Sequence, residues 1–225
     1  MSIYVFTGGA YPEPDAVKEF FSGKFDYVVA ADSGLDAAEK YSEIFKFKID
    51  RIIGDMDSLF MARKRLAKYE EKIITCYSCD KDFSDTELAL KLVKEFNHKP
   101  HEPVVLVGGG EGRADHLFAL KKLCATDLAP DVWLCGNQII YCLSKNGQKL
   151  VLENVHEKDM ISVFSCGMNQ KDYKIKSEGL YWPTNDVDWE DGGYSLSNKP
   201  NGKFVSLEVV EGKFIVILSC RENLK

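Results

Sequence analysis

Over its first 135 residues the chain alternates apolar runs with polar, helix-forming stretches. Ile3-Tyr4-Val5-Phe6 predicts a short first strand that ends at Gly8-Gly9. After the loop Pro12-Glu13-Pro14, Asp15 is placed to cap a helix over 16–22. Tyr27 to Ala31 predicts a second strand ending in Asp32-Ser33-Gly34, with a helical pattern to about Tyr41. Arg51-Ile52-Ile53 predicts a third strand that runs into Gly54-Asp55-Met56-Asp57-Ser58. Residues 59–71 are rich in helix formers, and 72–76 read as a fourth strand. Apolar residues at 88, 89, 92, 93 and 96 follow the helical period, and Ser84 or Asp85 caps that helix. Val104 to Val107 predicts a fifth strand, followed by Gly108-Gly109-Gly110-Glu111-Gly112-Arg113 and a helix at 117–123.

After about residue 131 helical periodicity gives way to short strand-like runs at 132–135, 138–143, 149–152, 160–165, 173–175, 193–197, 205–210 and 214–219. Turn signals at Asn146-Gly147, Asn201-Gly202 and Glu211-Gly212 punctuate them. The expected architecture is a Rossmann-like α/β domain with a mostly parallel sheet over 1–140, then an all-β sandwich or barrel over 141–225. In parallel sheets with helices on both faces, ligands bind beyond the carboxyl ends of the strands. The polar clusters of the first half all fall in strand-to-helix loops on that edge.

Composition narrows the partners. The chain has 225 residues, 45% hydrophobic and 28% charged, with a net charge of −6 and no basic block. That balance argues against nucleic acid and anionic membrane as partners, since phosphate neutralisation dominates such affinities. The first nine residues read as a strand and not as a leader, and no apolar run reaches the length of a membrane span. Seven cysteines, mostly in apolar runs, read as buried thiols in a reducing, cytoplasmic compartment.

Three clusters carry candidate chemistry. Asp55 and Asp57, one residue apart after a strand, can converge on a hard cation such as Mg2+ or can cap a helix in a solvated turn. Asp80, Asp82, Asp85 and Glu87 stand before a helix; its dipole accounts for Asp85 and Glu87 better than for Asp80. The glycines at 108–112 let backbone approach a phosphate, and Arg113 offers a permanently charged fork. Cys76, Cys79, His98 and His101 only superficially resemble a zinc finger, because the pairs lie too far apart. Trp182 and Trp189 flank an acidic stretch and are costly to expose, which points to ring stacking or an interface.

These segments in this order resemble the thiamine pyrophosphokinase family. The matching elements are Ala31-Asp32-Ser33-Gly34, Ile53 to Leu59, Asp80 to Leu90, Gly108 to His116, Gly179 to Pro183 and Ser195-Leu196-Ser197-Asn198. The resemblance implies pyrophosphoryl transfer from ATP to thiamine, Mg2+ as cofactor, and a homodimer whose thiamine site the partner completes. It implies that Asp55 and Asp57 hold the metal, with Asp80 or Asp85 helping. Asp85 or Asp80 would act as base, and Arg113 would sit on the phosphates. Asp32, Gly109, Gly110, Arg113, Asp115 and His116 would line the nucleotide; Trp182, Ser197 and Asn198 would contact thiamine. The sequence departs from the family at Glu111, where glycine is favoured, and at Phe118-Ala119-Leu120-Lys121, which lacks an expected asparagine. Its Thr184–Gly193 stretch is acidic and carries the second tryptophan. Two other readings stay open: a thiamine- or nucleotide-binding protein without turnover, and a transferase acting on another small alcohol.

Overall fold

The computed structural model describes residues 2–54, 67–74, 83–96, 102–112, 114–166, 173–190 and 192–220. These divide into two compact units, one drawn from Met1–Leu117 and Val132–Asn137, the other from Phe118–Asp131 and Gln138–Arg221.

In the first unit, β1 (Ser2–Phe6), β2 (Phe25–Ala31), β3 (Arg51–Ile53), β4 (Ile73–Ile74), β5 (Val104–Val107) and β6 (Val132–Cys135) lie in the order β6-β5-β1-β2-β3-β4. Their pairings are parallel, with Phe6 level with Ala30 on one side and Val107 on the other. Ile3, Tyr4, Val5 and Phe6 are all fully buried. That is why β1 reads as a continuous apolar run instead of an alternating one.

Successive side chains of β1 point to opposite faces. Tyr4 and Phe6 enter an aromatic layer with Phe21, Tyr41 and Phe47, in which Tyr4 and Phe21 stack at 4.9 Å and Phe6 meets Tyr41 edge-on at 5.5 Å. Tyr41 belongs to helix α1 (Gly34–Phe45), which buries Leu35, Ala37, Ala38 and Tyr41. Helix α2 (Asp85–Phe96) covers the opposite face: Phe96 stacks on Tyr27 at 4.0 Å, and Thr86 reaches Thr7.

Several local expectations are revised. The predicted helix at 16–22 is a pair of 3-10 turns over Pro14–Phe21 that meet at a kink at Val17, with Glu13 and not Asp15 at the cap position. Pro14 causes the shift, because its fixed φ suits a first turn and its missing N–H needs no partner there. Helix α1 runs past Tyr41 to Phe45, and Lys46 ends it in the left-handed region (φ 60°) with its N–H on the Ser42 carbonyl. Of the predicted fourth strand, Ile73–Ile74 pairs with β3, and residues from 75 lie outside the described set. Within 59–71, only 67–71 are described, as part of a 3-10 helix over Ala67–Lys72. The helix predicted at 117–123 begins earlier, as α3 (Ala114–Leu123).

In the second unit, β7 (Gln138–Leu143), β8 (Lys149–Glu153), β9 (Ile161–Cys166), β10 (Lys174–Glu178), β11 (Tyr194–Asn198), β12 (Phe204–Glu211) and β13 (Lys213–Ser219) pair antiparallel. One set runs β11-β9-β13-β7 and another β10-β12-β8. The chain leaves one set for the other at Gly212, which holds φ 92° between β12 and β13. Alternate residues Val205, Leu207 and Val209 of β12 join Ile161, Val163, Phe214 and Val216 in one apolar core. The chain thus combines parallel and antiparallel pairing with helices.

Candidate functional site

Because β1, β2, β3 and β5 run parallel, their carboxyl ends meet at one edge. Thr7, Asp32, Gly54 and Gly108 are the residues that leave those four ends. Asp32 sits at φ 46°, which aspartate tolerates better than most side chains. Its N–H bonds the Ile53 carbonyl at 2.7 Å, and its own carbonyl accepts from Leu35 at the start of α1. Gly54, at φ 147°, brings its Cα so close to Asp32 that a Cβ there would lie 3.2 Å from the Asp32 Cβ. The backbone leading into Asp55 therefore departs directly beside the Asp32 side chain.

The glycine loop does something different from what its composition promises. The N–H groups of Gly108, Gly109 and Gly110 donate to the carbonyls of Leu134, Gly8 and Ala10. A Cβ on Gly108 would fall 2.1 Å from the Thr7 carbonyl oxygen, and one on Gly110 would fall 2.4 Å from the Gly136 nitrogen. These glycines let backbone approach backbone, so their N–H groups are already engaged before any phosphate arrives. Glu111 (φ 55°) and Gly112 (φ 77°) form the open part of the loop, and among the described residues nothing beyond the chain neighbours lies within 4 Å of a Cβ placed on Gly112.

At the start of α2, Glu87 N–H bonds Ser84 Oγ while the Glu87 carboxylate accepts from Ser84 N–H and Ser84 Oγ. This reciprocal box makes Ser84 the cap. It engages Glu87, and Asp85 is the half-buried first residue of the helix. Asp115 and His116 open α3; both are exposed, and the Asp115 carboxylate accepts the His116 N–H at 3.0 Å.

In the second unit Trp182 is 53% exposed, while Trp189 is buried with Nε1 on the Thr184 carbonyl and its ring edge-on to Phe214. The two tryptophans thus divide: one is core and one faces out. Asn198 is fully buried. Its Oδ1 accepts from the N–H groups of Trp182 and Lys199, and its Nδ2 donates to the Trp182 carbonyl at 2.6 Å and to Ser195 Oγ. It grips the Trp182 backbone from both sides. Ser197 is exposed at φ 52°, with its N–H on Ser162 Oγ. A cavity of about 310 Å³ in this unit is lined by Trp189, Asp188, Glu190 and Glu211 among others, and not by Trp182, Ser197 or Asn198.

Asp55, Asp57, Asp80, Asp82 and Arg113 lie outside the described residues, as do Cys76, Cys79, His98 and His101. Among the described residues no group of three or more His, Cys, Asp or Glu side chains is placed to hold a metal. Among the described residues no helix is long and apolar enough to cross a membrane. The five described cysteines are buried. Sequence reasoning missed Thr7, Gly8, Ala10 and Gly136, which build the edge. The signal for the first two was present in Thr7-Gly8-Gly9, directly after β1.

A family model described as the thiamin pyrophosphokinase catalytic domain matches residues 20–131. No curated protein matched the sequence. Among solved structures, the chain is similar to a thiamin pyrophosphokinase family protein from Enterococcus faecalis at 17% identity and a TM-score of 0.70, covering 99% of this chain and 100% of that one. It is similar to thiamine pyrophosphokinase from Bacillus subtilis at 17% identity and a TM-score of 0.69, with the same coverage. It is also similar to thiamin pyrophosphokinase from Candida albicans at 16% identity and a TM-score of 0.69, covering 98% and 89%. At these identities the likeness shows a shared fold.

Proposed function

We propose a pyrophosphoryl transfer from ATP to thiamine for this chain, which belongs to the thiamin pyrophosphokinase family through residues 20–131. The observation that carries the reading is where that match falls. It spans Asp32, Gly54, Ser84–Glu87 and the glycine loop, the segments gathered at or opening from the sheet edge. The products are thiamine diphosphate and AMP. The thiamine hydroxyl oxygen bonds to the β-phosphorus of ATP, the bond from that phosphorus to the α-phosphate oxygen breaks, and AMP leaves.

Within this reading residues 1–140 bind ATP, and the β strands of 141–225, read as a sandwich, bind thiamine. The donors Asp55, Asp57 and Asp80 are all oxygen, and the Asp32 side chain stands beside the backbone that enters the first two. Such a set fits a hard divalent ion. Mg2+ is the ion these three would hold, and when bound it neutralises phosphate charge. Arg113 takes up charge that develops on the transferred group. Asp32, Asp115 and His116 line the nucleotide, with Gly109 and Gly110 as a close-packed floor. Whichever of Asp85 and Asp80 the metal leaves unused accepts the hydroxyl proton. Trp182 stacks on thiamine beside Ser197, and Asn198 shapes that contact by holding the Trp182 backbone. The buried cysteines suit a reducing compartment, so the chain is read as cytoplasmic, and as a homodimer.

The test is to incubate the protein with ATP, Mg2+ and thiamine and to follow both products by chromatography. Thiamine-dependent AMP in equal amount to thiamine diphosphate is expected. Asp55→Asn should lower turnover about 100-fold or more, the scale of losing a charge-stabilising group, with thermal unfolding unchanged. Near-native turnover in that variant removes the metal-turn assignment. Saturable thiamine binding without AMP replaces transfer with a binding role.

A further inference from the structure

We propose that the buried hydroxyl pair Thr7–Thr86 is a positioning device that fixes the first turn of α2, and with it Asp85, to the carboxyl end of β1. The two oxygens share a hydrogen bond at 2.6 Å across 79 residues of sequence. Both residues are buried, at 7% and 8% exposure. Val5, two residues before Thr7 on the same strand face, and Leu88 and Ala89, in the turn after Thr86, are buried and apolar, and valine has the same branched shape as threonine without a hydroxyl to satisfy. A polar pair therefore stands where an apolar one would pack.

Thr7 is a fixed reference point. Its N–H bonds the Val107 carbonyl at 2.8 Å. Its carbonyl oxygen fills the space where Gly108 lacks a Cβ, and its Cα lies 2.7 Å from where a Gly34 Cβ would be. The glycine loop and the start of α1 thus close around it. Thr86 is the second residue of α2, so its backbone lies one peptide unit, about 3.8 Å, from that of Asp85. The Ser84–Glu87 box organises this turn but ties the helix only to itself. The Thr7–Thr86 bond relates the turn to the sheet, at the end of α2 opposite the Phe96–Tyr27 stack. A directional bond of this length fixes separation and angle more tightly than an apolar contact.

The rate consequence rests on the proposed transfer; the anchoring does not. In Thr7→Val and Thr86→Val one buried hydroxyl loses its partner, so both variants should lower the unfolding midpoint. Thr7→Val/Thr86→Val replaces both and should recover most of it. If the pair were only structural, kcat would recover with stability. Positioning instead predicts that the double variant keeps kcat about tenfold below native, with the thiamine KM within about twofold, while Thr86→Ser retains native kcat. Amide exchange over residues 85–88 should be about tenfold faster in the double variant, with the β1 amides unchanged. A stable double variant with kcat within about twofold of native overturns the proposal. If the native protein forms no thiamine-dependent AMP, the transfer reading fails by itself. Amide exchange then decides the anchoring: unchanged protection over 85–88 overturns it, and selective loss supports it.

Discussion

Asn198 makes four hydrogen bonds from a fully buried amide, and two of them hold the backbone of Trp182. Asn198→Ala should remove that grip and leave buried backbone groups unpaired. We expect a loss of about 1–3 kcal/mol in urea unfolding. The thiamine KM should rise more than kcat falls, because the exposed Trp182 ring loses its support. An unchanged KM would confine Asn198 to folding. The residue scale is also where sequence reading went least far. Glycines at 108–110 announce close approach by backbone, but not whether the approaching atom is a phosphate oxygen or the chain's own carbonyl. Here it is the carbonyls of Leu134, Gly8 and Ala10 and the crowding oxygen of Thr7, all distant in sequence. Trp182 and Trp189 look alike in the sequence, and only the Thr184 carbonyl and the Phe214 ring separate the core tryptophan from the exposed one.

At the scale of elements, Cys142 on β7 and Cys166 on β9 are buried against Cys124, which follows α3. Burial pushes the Cys166 thiol up from about 9 to about 12. The folded state therefore holds a proton that the unfolded chain releases. This contribution is fully present below the ordinary thiol value and is lost as pH rises through about 12. Stability should fall with pH over that window, at up to about 1.4 kcal/mol per pH unit for this one group. Chemical denaturation between about pH 8.5 and 10.5 should show a shallower decline in Cys166→Ala; an equal slope would reject the assignment. Elements were legible where a long periodic pattern carried them. The apolar spacing from 88 to 96 yields α2, and the Ser84–Glu87 spacing yields its cap. Pro14 deflected the shorter first helix, because three or four residues of pattern do not outweigh one fixed dihedral.

For the whole molecule, the parallel pairing could be read because strands buried on both faces are apolar throughout. The interleaving of the two units could not, since no periodicity marks 118–131 as belonging with one and 132–137 with the other. The second unit exposes Tyr181, Trp182, Tyr194 and Leu196 at 62%, 53%, 59% and 56%. Large apolar side chains in that number suit a surface that meets a partner, which supports the homodimer reading. Sedimentation equilibrium should give twice the 25.4 kDa chain mass, and a single-chain mass at micromolar concentration would remove it.

The placement of β6 also governs how the protein is made. One edge of β5 pairs with β1; the other waits for Val132–Cys135, and Gly136 must follow before its N–H can reach the Ala10 carbonyl. On the ribosome, a nascent chain that has released β1 to β5 still carries an open strand edge, a template for wrong pairing. The rim at the carboxyl ends of these strands cannot be finished until well into the stretch that begins the second unit. Release of Val132–Cys135 from the ribosome, rather than completion of the first five strands, is then the point at which the open edge of β5 is covered.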